Sequence, residues 1–296
     1  MSNPNLTLIS QIKTTRDTTK LLSFSDEELL VITRDSLSFY HKEVNPFNLR
    51  EGVTFGLENV SRVFVYQNRF ILVGFKNVPV IQIYDLEFKL IQSINLAPSS
   101  KGTGKIKLLL PNQIAAINKF DRTKGVLLKI EIQNEEFQVV TQLQVNSAIK
   151  DIIRPNRNNY FFLLTITNYY VINCNNFNIR HTFHVGGYSL CQVRNQIVIR
   201  NFKSFTAFDI DDQGFRITVE LERYHIQKMI CDHTNTKLLM ILSKPAYIGL
   251  YSLRDYSIRL MIQIPNIITF FKHFISDNNN IFYLLTGENL FIYRLN

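Results

Sequence analysis

The chain contains no tryptophan, and only three cysteines, eleven glycines and eight prolines among 296 residues. The cysteines, Cys174, Cys191 and Cys231, form no Cys-x-x-Cys pair and no metal-ligand spacing, which excludes zinc-ribbon and thioredoxin-type chemistry. Each stands in an apolar, strand-like run, so buried reduced thiols are expected. Any run of eighteen apolar residues is also missing. The densest stretch, Ile262 to Ile275, is interrupted by Gln263, Pro265, Asn266, Lys272 and His273, and no transmembrane segment is expected. The first fifteen residues show neither a charged-then-apolar secretory signal nor an Arg-rich transit pattern, so the expected address is intracellular, cytoplasmic or nuclear.

Catalytic signatures are equally scarce. There is no Gly-x-Ser-x-Gly elbow and no HExxH segment. The stretch Ser99 to Lys105 approaches a phosphate-binding loop but has Ser99 where the first glycine belongs. Ile106 takes the place of the metal-binding hydroxyl, and a strand-like segment follows instead of a helix. His181 and His184 are three apart in a strand-like segment, so their side chains leave on opposite faces and cannot share an ion. Asp209, Asp211 and Asp212 lack the spacing of a calcium loop. No catalytic residue, metal ligand or cofactor is assigned, and a non-enzyme is expected.

What is present is strand. With 46% apolar, 12% aromatic and 19% charged residues, the composition is that of a globular chain with a large core, and no stretch reads as a linker, so 1–296 is taken as one domain. Short runs of Ile, Val, Leu, Phe and Tyr, four to eight residues long, are bounded by Asn, Asp, Gly and Ser clusters. Asn and Asp make many of the turns, because their side chains close Asx-turns and tolerate left-handed backbone.

The runs recur in fours. The clearest copy is Ser61 to Leu96, and others follow at Lys105 to Val145 and Ala148 to Val185, then from Tyr188 and from Ile226. A first copy begins near Thr19, with its fourth strand expected at Gly52 to Leu57. The last copy ends at Asn296 one strand short, and residues 5–13, NLTLISQIK, are the expected completion. Seven copies over the chain give about 42 residues each, the spacing of a four-stranded blade. The expected fold is all-β: a seven-bladed β-propeller of four-stranded antiparallel blades, closed by the N-terminal strand.

The third-to-fourth-strand segments IQIYDLEFKLIQSI, IGLYSLRDYSIRLMIQI and LFIYRLN resemble those of WD-repeat proteins, in which an apolar alternating strand ends in Trp-Asp. Tyr84-Asp85 stands nearest to that dipeptide, and Tyr40, Phe208, Tyr251 and Tyr293 take the aromatic position elsewhere. The polar turns SFSDEE, RPNRNN, CDHTNT and ISDNNN resemble those the family places between its first two strands. Its Gly-His dipeptide and repeated turn aspartate are absent. The resemblance implies a WD40-like propeller and, for function, a protein-interaction scaffold.

The strand register also sorts the charge, whose formal sum is +9. With strands a to d in each copy, the b–c turns and d–a connections share one face. The b–c turns carry Arg34, Lys76, Lys119, Arg122, Lys124, Lys203 and Lys244, and the d–a connections carry Arg16, Lys101, Lys105 and Arg223. The c–d turns are acidic, with Glu43, Asp85, Glu87, Glu135, Glu136, Asp209, Asp211, Asp212 and Asp255, a contrast diluted by Arg69, Arg154 and Arg157 in the a–b turns of the same face. A ring of cations concentrates acidic partners. The expectation is therefore a non-catalytic scaffold, a subunit of a larger assembly that holds other proteins through a basic face. The alternatives are an RNA-binding subunit of a ribonucleoprotein complex, using the same cations on phosphate, and a propeller hydrolase with polar groups at its axis.

Overall fold

The computed structural model describes residues 6–13, 20–23, 28–32, 36–41, 49–54, 57, 59–66, 68–76, 78–95, 103–110, 113–119, 124–133, 136–155, 159–210, 216–221, 225–231, 237–243, 247–252, 257–263, 273–276, 281–286 and 289–295. Every regular element among them is a strand, and the strands pair antiparallel into four-stranded sheets. They gather into two compact units, one of Phe55–Leu190 and one of Met1–Thr54 with Cys191–Asn296.

The Phe55–Leu190 unit holds three sheets, each in the order a-b-c-d. The second sheet of the chain is Asn59–Tyr66, Arg69–Lys76, Val78–Tyr84 and Leu90–Asn95. The third is Thr103–Leu110, Gln113–Lys119, Gly125–Gln133 and Glu136–Val145, and the fourth is Ile149–Ile153, Tyr160–Thr165, Tyr169–Asn173 and Ile179–Phe183. Where their burial is described, the middle strands read as near-continuous apolar runs because both of their faces are buried, as at Phe70–Val73, Val126–Ile130 and Phe161–Thr165. Along Gly125–Gln133, Val126, Leu128 and Ile130 pack on Ile71, Val73, Ile81 and Ile83 of the second sheet. Leu127 points the other way, onto Phe161, Leu163 and Ile172 of the fourth.

The other unit holds the first sheet, Lys20–Ser23, Glu28–Ile32, Ser36–His41 and Leu49–Thr54. Its first sheet ends at Thr54 rather than Leu57: Tyr40 pairs with Leu49 and Leu37 with Val53, while Leu57 is buried in the connection beyond. The fifth sheet is Ser189–Val193, Gln196–Arg200, Ser204–Asp209 and Arg216–Glu220, and the sixth is His225–Cys231, Leu238–Ser243, Tyr247–Ser252 and Ser257–Gln263. The seventh is completed from the N-terminus. Leu6–Lys13 pairs antiparallel with Asn289–Leu295, outside Ile281–Leu285 and His273–Ser276, with Leu6 opposite Leu295 and Lys13 opposite Asn289. Leu6 joins the core between the sixth and seventh sheets, and Val31 of the first sheet packs on Tyr283, Leu285 and Ile292 of the seventh.

The fourth strand in each order stands at a sheet edge, and where its burial is described, as in Leu90–Asn95 and Ile179–Phe183, it is largely exposed. A free edge invites pairing with another chain unless something breaks its regularity. A bulge does so in most. The ladder shifts at Leu37/Phe39, Ile83/Tyr84, Lys129/Ile130, Val171/Ile172 and Leu250/Tyr251, and at Leu8/Ser10 in the N-terminal strand. The outer strand of the fifth sheet runs in regular register from Arg216 to Glu220 but is five residues long with a charge at each end.

The expectation of three reduced thiols is corrected at two of them. Cys191 and Cys231 are joined as a disulfide, 40 residues apart in sequence with Cα atoms 6.5 Å apart. Forty residues is one repeat, which brings the first strands of the fifth and sixth sheets side by side; linear motifs such as Cys-x-x-Cys cannot reveal such a pair. Cys174 is free and buried, and desolvation raises its pKa.

Burial also makes the fold sensitive to alkali. Tyr169, stacked on Phe162 at 5.5 Å, has its phenol pushed well above the usual value, and Tyr293 is pushed up to about 12, both by desolvation. These phenols ionise near pH 10 when unfolded but hold their protons in the fold. Their contribution is complete below pH 10 and is lost as pH rises from 10 towards 12. Denaturant midpoints are expected to be flat from pH 8 to 9 and to fall from pH 10 to 11. Tyr293→Phe should reduce that slope, and an unchanged slope would contradict its assignment.

Candidate interaction surface

In an antiparallel sheet of order a-b-c-d, the b–c turn, the start of strand a and the end of strand d share one end. Several of the cations named above are placed there by their strands. In the Phe55–Leu190 unit, Lys76 closes Arg69–Lys76 and pairs across the turn with Val78, and Lys119 closes Gln113–Lys119 opposite Gly125. Lys124, immediately before Gly125, is exposed. Gly125 is required there by close approach, since a Cβ would lie 2.5 Å from the Ile149 side chain and 2.8 Å from the Ser147 carbonyl. Lys105 corrects one expectation: it is the third residue of Thr103–Leu110, not part of the connection before it, because that strand starts earlier than its apolar run. In the other unit Lys203 is exposed between Gln196–Arg200 and Ser204–Asp209. Arg16, Arg34, Lys101, Arg122, Arg223 and Lys244 lie outside the described residues.

The same end of the fourth sheet carries a platform that sequence reading did not identify. Its b–c turn is Thr165-Ile-Thr-Asn168, closed by Thr165 N–H donating to the Asn168 carbonyl at 2.8 Å. The buried Thr165 hydroxyl donates to that carbonyl at 3.0 Å and accepts from Asn168 N–H at 2.9 Å. Against this turn lies the connection His184 to Tyr188. Gly187 N–H donates to the Thr165 carbonyl, His184 Nδ1 meets Asn168 Oδ1 at 3.0 Å, and a Cβ on Gly186 would stand 1.6 Å from the Ile166 carbonyl oxygen. The two loops are thus locked by backbone contacts, and they present Ile166 at 48% and Tyr188 at 51% exposure. Exposed large apolar residues on a fixed backbone are the usual anchors of protein interfaces.

The fifth sheet repeats this arrangement with different residues. Phe202, 50% exposed beside Lys203, packs its ring on His225 at 4.1 Å. Its turn is held by Ile226 N–H donating to the Phe202 carbonyl and Leu221 N–H donating to the Lys203 carbonyl. A sequence signal existed for part of this: Thr-x-x-Asn recurs at Thr286 to Asn289, where the threonine makes the same two bonds to the asparagine carbonyl.

At the opposite end, Asp85 and Asn173 close their own turns. Asp85 Oδ1 accepts from the N–H groups of Glu87 at 3.0 Å and Lys89 at 2.8 Å, and Asn173 Oδ1 plays that role with Asn175 in the fourth sheet. Both turns set a phenylalanine in left-handed backbone, Phe88 at φ 63° and Phe177 at φ 59°. Each ring packs on the second residue of its b strand, Phe70 at 4.5 Å and Phe161 at 5.3 Å, so stacking offsets the backbone strain. Lys129, a buried ammonium in the third sheet, pairs with Glu131 at 2.8 Å and donates to the Asn175 carbonyl at 3.1 Å. These contacts serve packing between sheets.

His181 and His184 go to different partners, Phe183 and Asn168. Among the described residues no three His, Cys, Asp or Glu side chains converge as metal ligands, and no helix is long and apolar enough to cross a membrane.

No protein-family model matches the sequence, and no curated protein matches it. Solved structures do. The chain is similar to BamB from Moraxella catarrhalis, a β-propeller, with a TM-score of 0.66 at 9% identity, over 98% of this chain and 100% of that one. The fold is therefore an all-β propeller of antiparallel four-stranded sheets.

Proposed function

We propose that the chain is a non-catalytic interaction scaffold, a closed seven-bladed, WD40-like propeller of intracellular address. It holds protein partners of a larger assembly at the b–c and d–a ends of its sheets. The observation that carries this reading is the locked pair of loops presenting Ile166 and Tyr188 at the end of the sheets where Lys76, Lys119 and Lys124 also stand. Apolar anchors supply affinity by desolvation, and surrounding cations steer acidic partners towards them. The general resemblance to a propeller fits a scaffold without naming its assembly.

The test is affinity purification of the tagged protein with and without nuclease, alongside Tyr188→Ala and the triple variant Lys119→Glu, Arg122→Glu, Lys124→Glu. Protein partners that survive nuclease are expected, with recovery reduced about tenfold or more by Tyr188→Ala, as for an interface anchor. The triple variant should weaken capture most at low salt, where surface charges are least screened. Recovery abolished by nuclease would replace this reading with RNA binding. Turnover of a substrate that a single loop substitution removes would replace it with a hydrolase.

A further inference from the structure

The two paired cysteines are not part of the docking surface, and their placement carries a separate consequence. Cys191 lies in the first strand of the fifth sheet, buried among Val193, Val198, Phe205 and Met229; Cys231 ends the first strand of the sixth and is only partly buried against the same cluster. The covalent loop between them spans the whole of the fifth sheet. We propose that Cys191 and Cys231 form a reversible, redox-controlled staple that fastens the fifth sheet to the sixth, with Cys231 as the thiol that meets the oxidant.

Both redox states are accommodated. The Cys231 sulfur lies against the Gln192 carbonyl, so the thiol formed there when the bond opens has an acceptor beside it. Closure needs no rearrangement of the strands, because a Cα separation of 6.5 Å lies within the range that disulfides span. The chemistry is thiol–disulfide exchange with a small disulfide such as oxidised glutathione. The Cys231 thiolate attacks one sulfur of glutathione disulfide, forming a mixed disulfide and releasing one glutathione thiolate. The Cys191 thiolate then attacks the Cys231 sulfur and expels the second glutathione. Two protein thiols lose two protons and two electrons, and one glutathione disulfide becomes two glutathiones. Where glutathione holds thiols reduced the staple rests open, and a rise in disulfide oxidant closes it.

Closing a loop of 40 residues restricts the unfolded chain, and it also ties local opening of the fifth sheet to that of the sixth. The experiment equilibrates the full-length protein in buffers of reduced and oxidised glutathione, alkylates remaining thiols and identifies cross-linked peptides by mass spectrometry. Melting and amide hydrogen exchange are then compared between the two forms. A Cys191–Cys231 cross-link is expected, with Cys174 modified only on unfolding. The oxidised form should melt about 5–10 °C higher. Exchange in Gln196–Arg200 and Ser204–Asp209 should slow about tenfold or more. Cys191→Ser and Cys231→Ser should each abolish the response, and Cys174→Ser should not. The oxidised-against-reduced comparison needs no variant, so a substitution that fails to fold does not block the test. No cross-link in excess oxidant, a link through Cys174, or a link that leaves melting and exchange unchanged would each overturn the proposal. None of these readouts involves partner capture, so the staple and the docking role succeed or fail separately.

Discussion

Replacing Asp151 with alanine is expected to destabilise the protein by about 3–5 kcal/mol, the cost of removing a carboxylate from two buried donors. Asp151 follows the bulge that interrupts the Ile149–Ile153 ladder, and its side chain is buried. Oδ1 accepts from Ile152 N–H at 2.8 Å and Oδ2 accepts from Leu190 N–H at 2.8 Å, tying the first strand of the fourth sheet to the last residue of the same unit. Alanine leaves both N–H groups buried without that acceptor and opens a small cavity besides. Asp151→Asn is the sharper comparison. It keeps one acceptor oxygen but turns an NH2 group towards the other donor, so roughly half of the alanine loss or more should persist. Denaturant unfolding measures both, and a loss under about 1 kcal/mol for alanine would show that the carboxylate is not the acceptor that matters.

Gly186→Ala is expected to cost about 3–5 kcal/mol, in the range reserved for substitutions that force backbone apart. The added methyl would stand 1.6 Å from the Ile166 carbonyl oxygen, 2.3 Å from its carbon and 2.9 Å from Thr167 N. None of these atoms belongs to a side chain that can rotate away. The turn they form is closed on itself through Thr165 and Asn168 and is bonded to Gly187 N–H, so relief requires the two loops to separate. The variant should therefore lose stability and, because Tyr188 stands two residues on in the same loop, partner recovery as well. Thr167→Ala, which trims an exposed side chain of the same turn, should change stability by less than about 0.5 kcal/mol. A Gly186→Ala protein that melts like the parent would show that the loops do not pack this closely.

Most of the strand order was legible before any coordinates, because strands buried on both faces write long apolar runs and their turns are marked by Asn, Asp and Gly. The completion of the last sheet by Leu6–Lys13 followed from counting: one copy was a strand short and one strand was left over. Boundaries were less legible where propensity and register compete. The fourth strand of the first sheet includes Arg50 and Glu51 and stops before Phe55, although the apolar residues beyond had suggested a later start. Among the described residues, Lys76, Lys119, Lys124 and Lys203 stand at the b–c ends of their strands because antiparallel order alone decides it. The exposed apolar residues could not be placed this way, since Ile166, Tyr188 and Phe202 look in sequence like any other core residue.

The sequence by itself therefore determined the class of structure: short apolar runs, four to a repeat of about 42 residues, admit little except a propeller. Tertiary structure decided which residues of equal hydrophobicity are buried and which are shown, because that depends on whether a neighbouring sheet covers them. It also decided which distant residues meet. Cys191 and Cys231 are brought together by the repeat, Gly186 is pressed on the Ile166 carbonyl, and the Asp151 carboxylate reaches Leu190 across 39 residues. Such contacts are made between elements, at distances of a few ångströms, and no local pattern of residue types encodes them.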